Sequence, residues 1–456
     1  MSPKKTFTEL FRELDRTHAD ANDQSDAFRK DPAFPDFATA DNGEVRIFSE
    51  HARDLLNILT VAIYEQCTAF KKCIDQQQFA ELFRQVVVDL HASEALAGAD
   101  APLKCLVDEL TKRIRKASQT FTHSFPAWTC GIEDTGAWSF GPVTFMTWPQ
   151  WLTHVDFPDQ AKASAFAEPK ANARWKELLL DVINDPNAPP PAGLASCLVG
   201  AVKACPAVLR VEVVGLDKKM SRKLAEIVCK GALDAMSLMI GQRRAFAQQA
   251  LQVERLPPLR IDSILETNGL LWLPGISFTD RIPSLKGARF IQFLRGPTRE
   301  HEAMAHAISG LLDRSHPHPQ LASRWATALD WYAEGQRERS DAIALAKIGT
   351  SLDVLASGGR FKGILDLVTN LLQIPKETAF TLGTKQTTLQ TVVKNIYDNG
   401  RSQILHGNRH DRMEAFERER NAATYLARHV LIEAALRLKA YKGADEAKSF
   451  LTMPAP

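Results

Sequence analysis

The chain has 456 residues, of which 45% are hydrophobic and 24% charged, and its formal net charge is +2. That length exceeds what one core normally fills, so two or three domains are expected. The small charge excess excludes a general nucleic-acid coat, which would be far more basic, but leaves room for a local basic site.

The opening stretch MSPKKTFTELFRELDRTHADAND is charged throughout and lacks the apolar segment of a secretory signal. No apolar run approaches the roughly 18–20 residues of a membrane span, so a cytoplasmic protein without a membrane partner is expected. The 7 cysteines all precede residue 230 and fit no zinc spacing, which points to reduced thiols that are buried or incidental. No metal and no cofactor are expected.

Residues 5–17 read as a short amphipathic helix, and 23–44 as a polar linker. From 45 to 118 the period is helical, with Leu55, Leu56, Leu59, Ala62 and Ile63 spaced by three and four. The texture changes over 121–155, where Trp128, Trp138, Trp148 and Trp151 stand among Phe, Thr and Gly. This predicts a hairpin or small sheet. The tryptophans could stack on bases, but a packed aromatic core is the favoured reading. A helix is expected over 173–185, a strand over 207–215 and a long helix over 221–241 with Ser221 as its N-cap. Within 259–278 the tripeptide Thr267-Asn268-Gly269 signals a hairpin. Residues 1–120 thus read as a helical region and 121–295 as an α+β region, a sensor or regulator in the absence of visible catalytic groups.

Beyond residue 295 the pattern is helical. Six amphipathic helices are predicted, within 301–314, 321–339, 340–357, 361–374, 385–407 and 412–441. The expected fold is therefore mostly helical α+β, with an all-α bundle over 296–445 and a tail over 446–456. The chain is read as loose from Lys442 onward.

Near the end of the fifth predicted helix stands Tyr397-Asp-Asn-Gly-Arg401-Ser402-Gln-Ile-Leu-His406-Gly407. Upstream lie ALDWYAEG (328–335) and IGTSLDVLA (348–356). On these segments the chain resembles the HEPN superfamily, and within it the Apea-like branch. The hallmark there is Arg, four to six residues, then His, late in a helical bundle. The resemblance covers roughly 320–442. It places an acidic residue at Asp353, where the family more often has Glu, and leaves the role of Asp353 open. The bland alternative for the motif is a surface arginine and a helix-capping histidine.

The resemblance implies a metal-independent endoribonuclease with Arg401 and His406 as the catalytic pair. Its products would be a 2′,3′-cyclic phosphate and a 5′-OH. The residue types suit that chemistry. Histidine moves protons near neutral pH, and arginine offers phosphate a permanently charged planar fork. Around a regular α-helix, positions five apart point about 140° from each other. One motif therefore does not easily aim both side chains at one phosphate. Two motifs facing across a twofold axis, or an unwound helix end at Gly407, would solve this. HEPN proteins resemble the first case, so a homodimer through the C-terminal bundle is expected.

Ser402 is assigned either a hydrogen bond to phosphate or solvent. Tyr397 lines the cleft or belongs to the core. Asn408, Arg409 and Arg412 either guide the RNA backbone or form a solvated loop. By analogy the activity is that of a regulated toxin or antiviral-defence effector, with an activating or inhibitory protein partner. The alternative is a non-catalytic dimerisation or nucleotide-binding module in a larger complex. His301-Glu-Ala-Met-Ala-His306 has one residue too many for a zincin motif, His316 and His318 alone make a poor metal site, and Gly349-Thr-Ser-Leu lacks the P-loop lysine.

Overall fold

Side-chain caps start two of the long helices of the N-terminal region. In the computed structural model, Ser49 accepts a hydrogen bond from the Ala52 N–H and Asp75 accepts one from the Gln77 N–H, each satisfying a donor the helix leaves open. The structure describes residues 2–19, 36–96, 101–131, 136–163, 169–185, 187–254, 266–271, 292–293, 296, 298–382, 385–409, 411 and 413–455. It is a mostly helical α+β protein. By its internal contacts the chain divides into two units: Met1–Thr122 with Glu212–Ala225, and His123–Val211 with Glu226–Pro456.

The first unit holds α1 (Pro3–Ala19), α2 (Glu50–Gln66), α3 (Gln76–Ala92) and α4 (Pro102–Ala117). A short antiparallel hairpin pairs Phe37–Thr39, in the stretch read as linker, with Val45–Ile47, a strand where the helical period is expected to begin; the helix starts only at Glu50. The apolar stripes converge on a core that includes Leu10, Leu14, Leu59, Phe79, Phe83 and Leu106, all fully buried. Each such burial is worth about 1.5–3 kcal/mol before chain entropy is set against it. The returning segment brings in Asp217, fully buried, whose carboxylate accepts from the N–H groups of Lys219, Met220 and Asp75. Asp217, not Ser221, is therefore the N-terminal cap of the long helix that follows, which begins three residues earlier than its sequence suggested.

The second unit carries most of a sheet of β1 (Gln119–Trp128), β2 (Trp138–Phe140), β3 (Val143–Thr147), β4 (Ala207–Leu216) and β5 (Ala250–Leu251), in the order β2-β3-β4-β1-β5. The β2–β3, β3–β4 and β1–β5 pairs are antiparallel. Its aromatic side chains pack rather than project. Trp148 is buried, donates to the Cys205 carbonyl and meets Trp151 edge-on, while Trp138 stacks on His301. Helix α5 (Lys218–Ile240) follows β4. Further on, Glu266–Thr267 pairs with Leu270–Leu271 through Asn268 and Gly269, both at positive φ, the geometry of a type I′ turn. The rest of the strand-rich reading of 259–278 lies outside the described residues.

The bundle consists of α6 (Thr298–Ser309), α7 (Pro319–Arg337), α8 (Asp341–Leu355), α9 (Arg360–Leu372), α10 (Leu389–Lys394), a π-helix (Asn395–Ser402) and α11 (Glu417–Ala440). Fully buried Trp325 ties α7 to α11 by donating to the Leu431 carbonyl. Arg420, also buried, bonds the carbonyls of Gly335 and Glu338 and the carboxylate of Asp341, so one guanidinium stitches the end of α7 to the start of α8.

Two expectations for this region are corrected. Residues 385–388 are a strand paired with Ala379–Leu382, so the bundle is not all-α and its fifth helix starts at Leu389. The β-branched pair Thr387-Thr388 favours the strand, and the Thr388 hydroxyl accepts from the Thr391 N–H to start the helix. Nor is the C-terminal segment loose. Phe450 and Met453 are buried, and buried Arg437 donates to the carbonyls of Met453, Asn370 and Leu371. Among the described residues no helix is long and apolar enough to cross a membrane. All seven cysteines are free, and Cys130, Cys205 and Cys229 are buried.

Candidate active site

The Arg401 motif begins on a rare element. Asn395–Ser402 is a π-helix of 8 residues, widened relative to an α-helix and inserted between α10 and a last helical turn, Gln403–Leu405. Such segments occur mostly as single-turn bulges and often at functional sites. Glycines let it approach α8. A Cβ at Gly349 would stand 2.9 Å from the Arg401 Cβ, and one at Gly400 would stand 2.7 Å from Leu345 Cδ2. Both distances are closer than ordinary packing allows.

This close approach brings Arg401 to Asp353. The Arg401 Nη2 lies 3.4 Å from Asp353 Oδ2, both side chains being largely buried. The Arg401 Nη1 donates to the Tyr397 hydroxyl at 3.4 Å, and its guanidinium lies 5.3 Å from the Tyr397 ring centre, within cation–π range. Tyr397 is itself buried, so it is at once a core residue and a wall for the guanidinium. Two atoms here are sealed from solvent without a hydrogen-bond partner: Arg401 Nε and Asp353 Oδ1. The ion pair is thus half made, one contact where a carboxylate and a guanidinium can form two.

His406 sits elsewhere in character. It is exposed at the cap of the last helical turn, its N–H bonded to the Ser402 carbonyl. Gly407 follows at φ +74°. The Gly407 N–H reaches the Ile404 carbonyl and the Asn408 N–H the Gln403 carbonyl, the paired bonds of a Schellman ending. The helix therefore ends at the point where the imidazole meets solvent. The structure joins Arg401, Tyr397 and Asp353 in one cluster, and it leaves His406 on the surface beyond them.

The remaining predicted residues are more dispersed. Ser402 is half-buried and Asn408 exposed. Arg409 pairs with Glu414 and faces the Phe416 ring, so its charge is already answered within the loop. Arg412 lies outside the described residues. Beside the first π turn opens a cavity of about 280 Å³, bordered by Asn395, Ile396, Gln386, Thr387 and Arg418. Among the described residues no three His, Cys, Asp or Glu side chains gather as a metal-binding group.

Sequence reading missed the glycine contacts. Gly349 was notable only as a failed P-loop, and its work is steric. A glycine within an amphipathic helix was the available signal, since it costs about 1 kcal/mol relative to alanine unless something needs the space. No known protein family, no curated protein and no solved structure matches the chain.

Proposed function

We propose that the protein is a metal-independent endoribonuclease of the HEPN type, working as a regulated toxin or antiviral-defence effector. The observation that carries this reading is the Arg401–Asp353–Tyr397 cluster on a π-helix that runs into an exposed histidine at a defined helix end. A surface arginine and an incidental capping histidine would need neither the rare helix nor the two pinched glycines.

The chemistry balances without a co-reactant. An RNA 2′-oxygen forms a bond to the adjacent phosphorus as the bond from phosphorus to the 5′-oxygen breaks. His406 accepts the 2′-hydroxyl proton, and the imidazolium returns a proton to the departing 5′-oxygen. The Arg401 guanidinium offsets the charge that builds on the phosphoryl oxygens. Arg401 is half-buried whereas His406 is exposed, which fits a composite site in which two copies of the chain each supply one of the pair. Leu405 and Met413 are exposed apolar residues close to His406 in sequence, suited to cover by that second copy. RNA and a second copy are thus the proposed partners, together with a protein that activates or restrains the nuclease in the cytoplasm.

The test is incubation of the purified chain with labelled RNA in EDTA, beside His406→Ala. Cleavage by the first alone, leaving cyclic phosphate ends, supports the nuclease. Cleavage by both, or by neither even with the physiological trigger present, overturns it. Inactivity of both leaves the non-catalytic module as the reading.

A further inference from the structure

Three histidines remote in sequence from the Arg401 motif form a chain of hydrogen bonds. His306, on α6, has its Nε2 3.0 Å from the Nε2 of His316, in the turn that follows. The His318 N–H donates to His316 Nδ1 at 3.1 Å, and His318 Nε2 lies 3.0 Å from the Gly443 carbonyl. His316 and His318 are buried. Gly310 makes room: a Cβ there would stand 2.9 Å from His316 Nδ1.

Only one protonation pattern satisfies every bond. A carbonyl can only accept, so His318 Nε2 carries a hydrogen. A backbone N–H can only donate, so His316 Nδ1 carries none and the hydrogen of that ring is on Nε2. That hydrogen points to His306 Nε2, which must accept, leaving the His306 hydrogen on Nδ1. A second proton on His316 would face the His318 N–H. One on His306 would face the His316 Nε2 hydrogen. His306 and His316 must therefore stay neutral for the chain to stand.

The network fastens the C-terminal segment to the bundle. Gly443 takes the His318 bond, the Tyr441 ring packs 5.1 Å from the His318 ring, and Asp445 accepts from the N–H groups of Gln320 and Leu321. Asp445 thereby caps α7, which His318 precedes without a side-chain cap of its own. We infer that the His306–His316–His318 chain is an acid-sensitive latch, which holds residues 441–445 on the start of α7 at neutral pH and releases them when it takes up a proton.

The charged surroundings favour this direction. His306 faces His316, His318 and, from α11, Lys439, which pairs with Glu302; burial first, then the competing His316 ring and the Lys439 charge, hold its pKa below the ordinary value. His316 faces His318 on one side and Asp313 and Asp445 on the other. Burial and then His318 outweigh the two carboxylates and lower its pKa as well. The folded state therefore refuses protons that an opened segment would accept. The latch is intact above about pH 6.5 and weakens as pH falls below it. Farther along, Arg437 donates to the Met453 carbonyl without any histidine between them, so the release is confined to the segment before it. The inference stands apart from the nuclease reading.

Two measurements test it on the full-length chain. Nitrogen-15 spectra of histidine-labelled protein at about pH 7.5 should show hydrogens on His306 Nδ1, His316 Nε2 and His318 Nε2. Any other set overturns the latch. Hydrogen exchange over residues 318–324, corrected for intrinsic rates, should show protection falling about 10-fold or more between roughly pH 7.5 and 5.5. The double variant His306→Gln, His316→Asn keeps the acceptors and removes the two rings whose protonation breaks the chain, and should hold its protection within about 2-fold. Unchanged protection in the wild type, or an equal fall in the variant, refutes the inference. Should the variant not fold, the tautomer spectrum of the wild type decides.

Discussion

Arg401 stands 3.4 Å from Asp353 with one atom of each, Nε and Oδ1, buried and unpartnered. The pair holds the guanidinium against the π-helix but does not exhaust it. Removing the carboxylate would leave a largely buried charge answered only by the Tyr397 hydroxyl and ring. Asp353→Ala is expected to cost about 1–3 kcal/mol in urea unfolding and to lower RNA cleavage about 10-fold or more. Asp353→Glu, which restores the charge on a longer arm, should keep most of the cleavage. Equal losses in the two variants would mean that Asp353 does not position Arg401.

Gly349 offers a steric test of the same arrangement. An alanine methyl there would meet the Arg401 Cβ at 2.9 Å, a rigid atom that cannot swing aside. Gly349→Ala should destabilise the protein by about 1–3 kcal/mol and shift the π-helix off α8, with cleavage lost at temperatures where the fold survives. Gly200 is the control, since a methyl there meets nothing within 4 Å in a helical segment. Gly200→Ala should leave cleavage unchanged and raise stability by up to about 1 kcal/mol. Thermal unfolding read beside cleavage separates the two positions.

The composite site makes a quantitative prediction. If each site takes Arg401 from one copy and His406 from the other, Arg401→Ala and His406→Ala homodimers are both inactive. Subunits exchanged between them form mixed dimers with one intact site. Random mixing makes about half the dimers mixed, so cleavage should return to about a quarter of the wild-type level. No recovery despite confirmed exchange would place both side chains of a site on the same copy.

Much of this was legible in the sequence because it rests on local pattern. The spacing of Leu55, Leu56, Leu59 and Ile63 marks a buried helical face, and those residues are buried in α2. The Asn268-Gly269 turn and the β-branched strand at 207–216 follow equally from local chemistry. What the sequence concealed depends on distant partners. Asp217 caps its helix while also binding Asp75, 142 positions away, and Ser221 looked the better cap only when neighbours were counted. Phe450 and Met453 read as part of a loose tail because Arg437 and Asn370, which hold that segment, lie elsewhere in the chain. At the site, the helical reading placed Arg401 and His406 near the end of one element. The π-helix was invisible, because it follows from packing against Leu345 and Gly349 rather than from the propensities of residues 395–402.

Acid stability in the first unit turns on His91. Its Nδ1 accepts from Arg46 Nε at 2.8 Å and its Nε2 donates to Asp15 at 3.0 Å, so the buried ring is neutral with both nitrogens committed. A second proton would have to sit on Nδ1, facing a guanidinium. Burial first and Arg46 second lower the His91 pKa, against the opposing pull of Asp15. The unfolded chain binds this proton more readily than the folded one. The His91 contribution is therefore complete above about pH 6.5 and is lost as pH falls from there towards the folded-state pKa, by about 1.4 kcal/mol for each unit of separation. His91→Asn keeps an acceptor for Arg46 and cannot titrate. Urea unfolding followed by circular dichroism between roughly pH 7.5 and 5.5 should show the wild type losing stability faster than the variant. Parallel pH profiles would show that the Arg46–His91 bond does not exclude the proton.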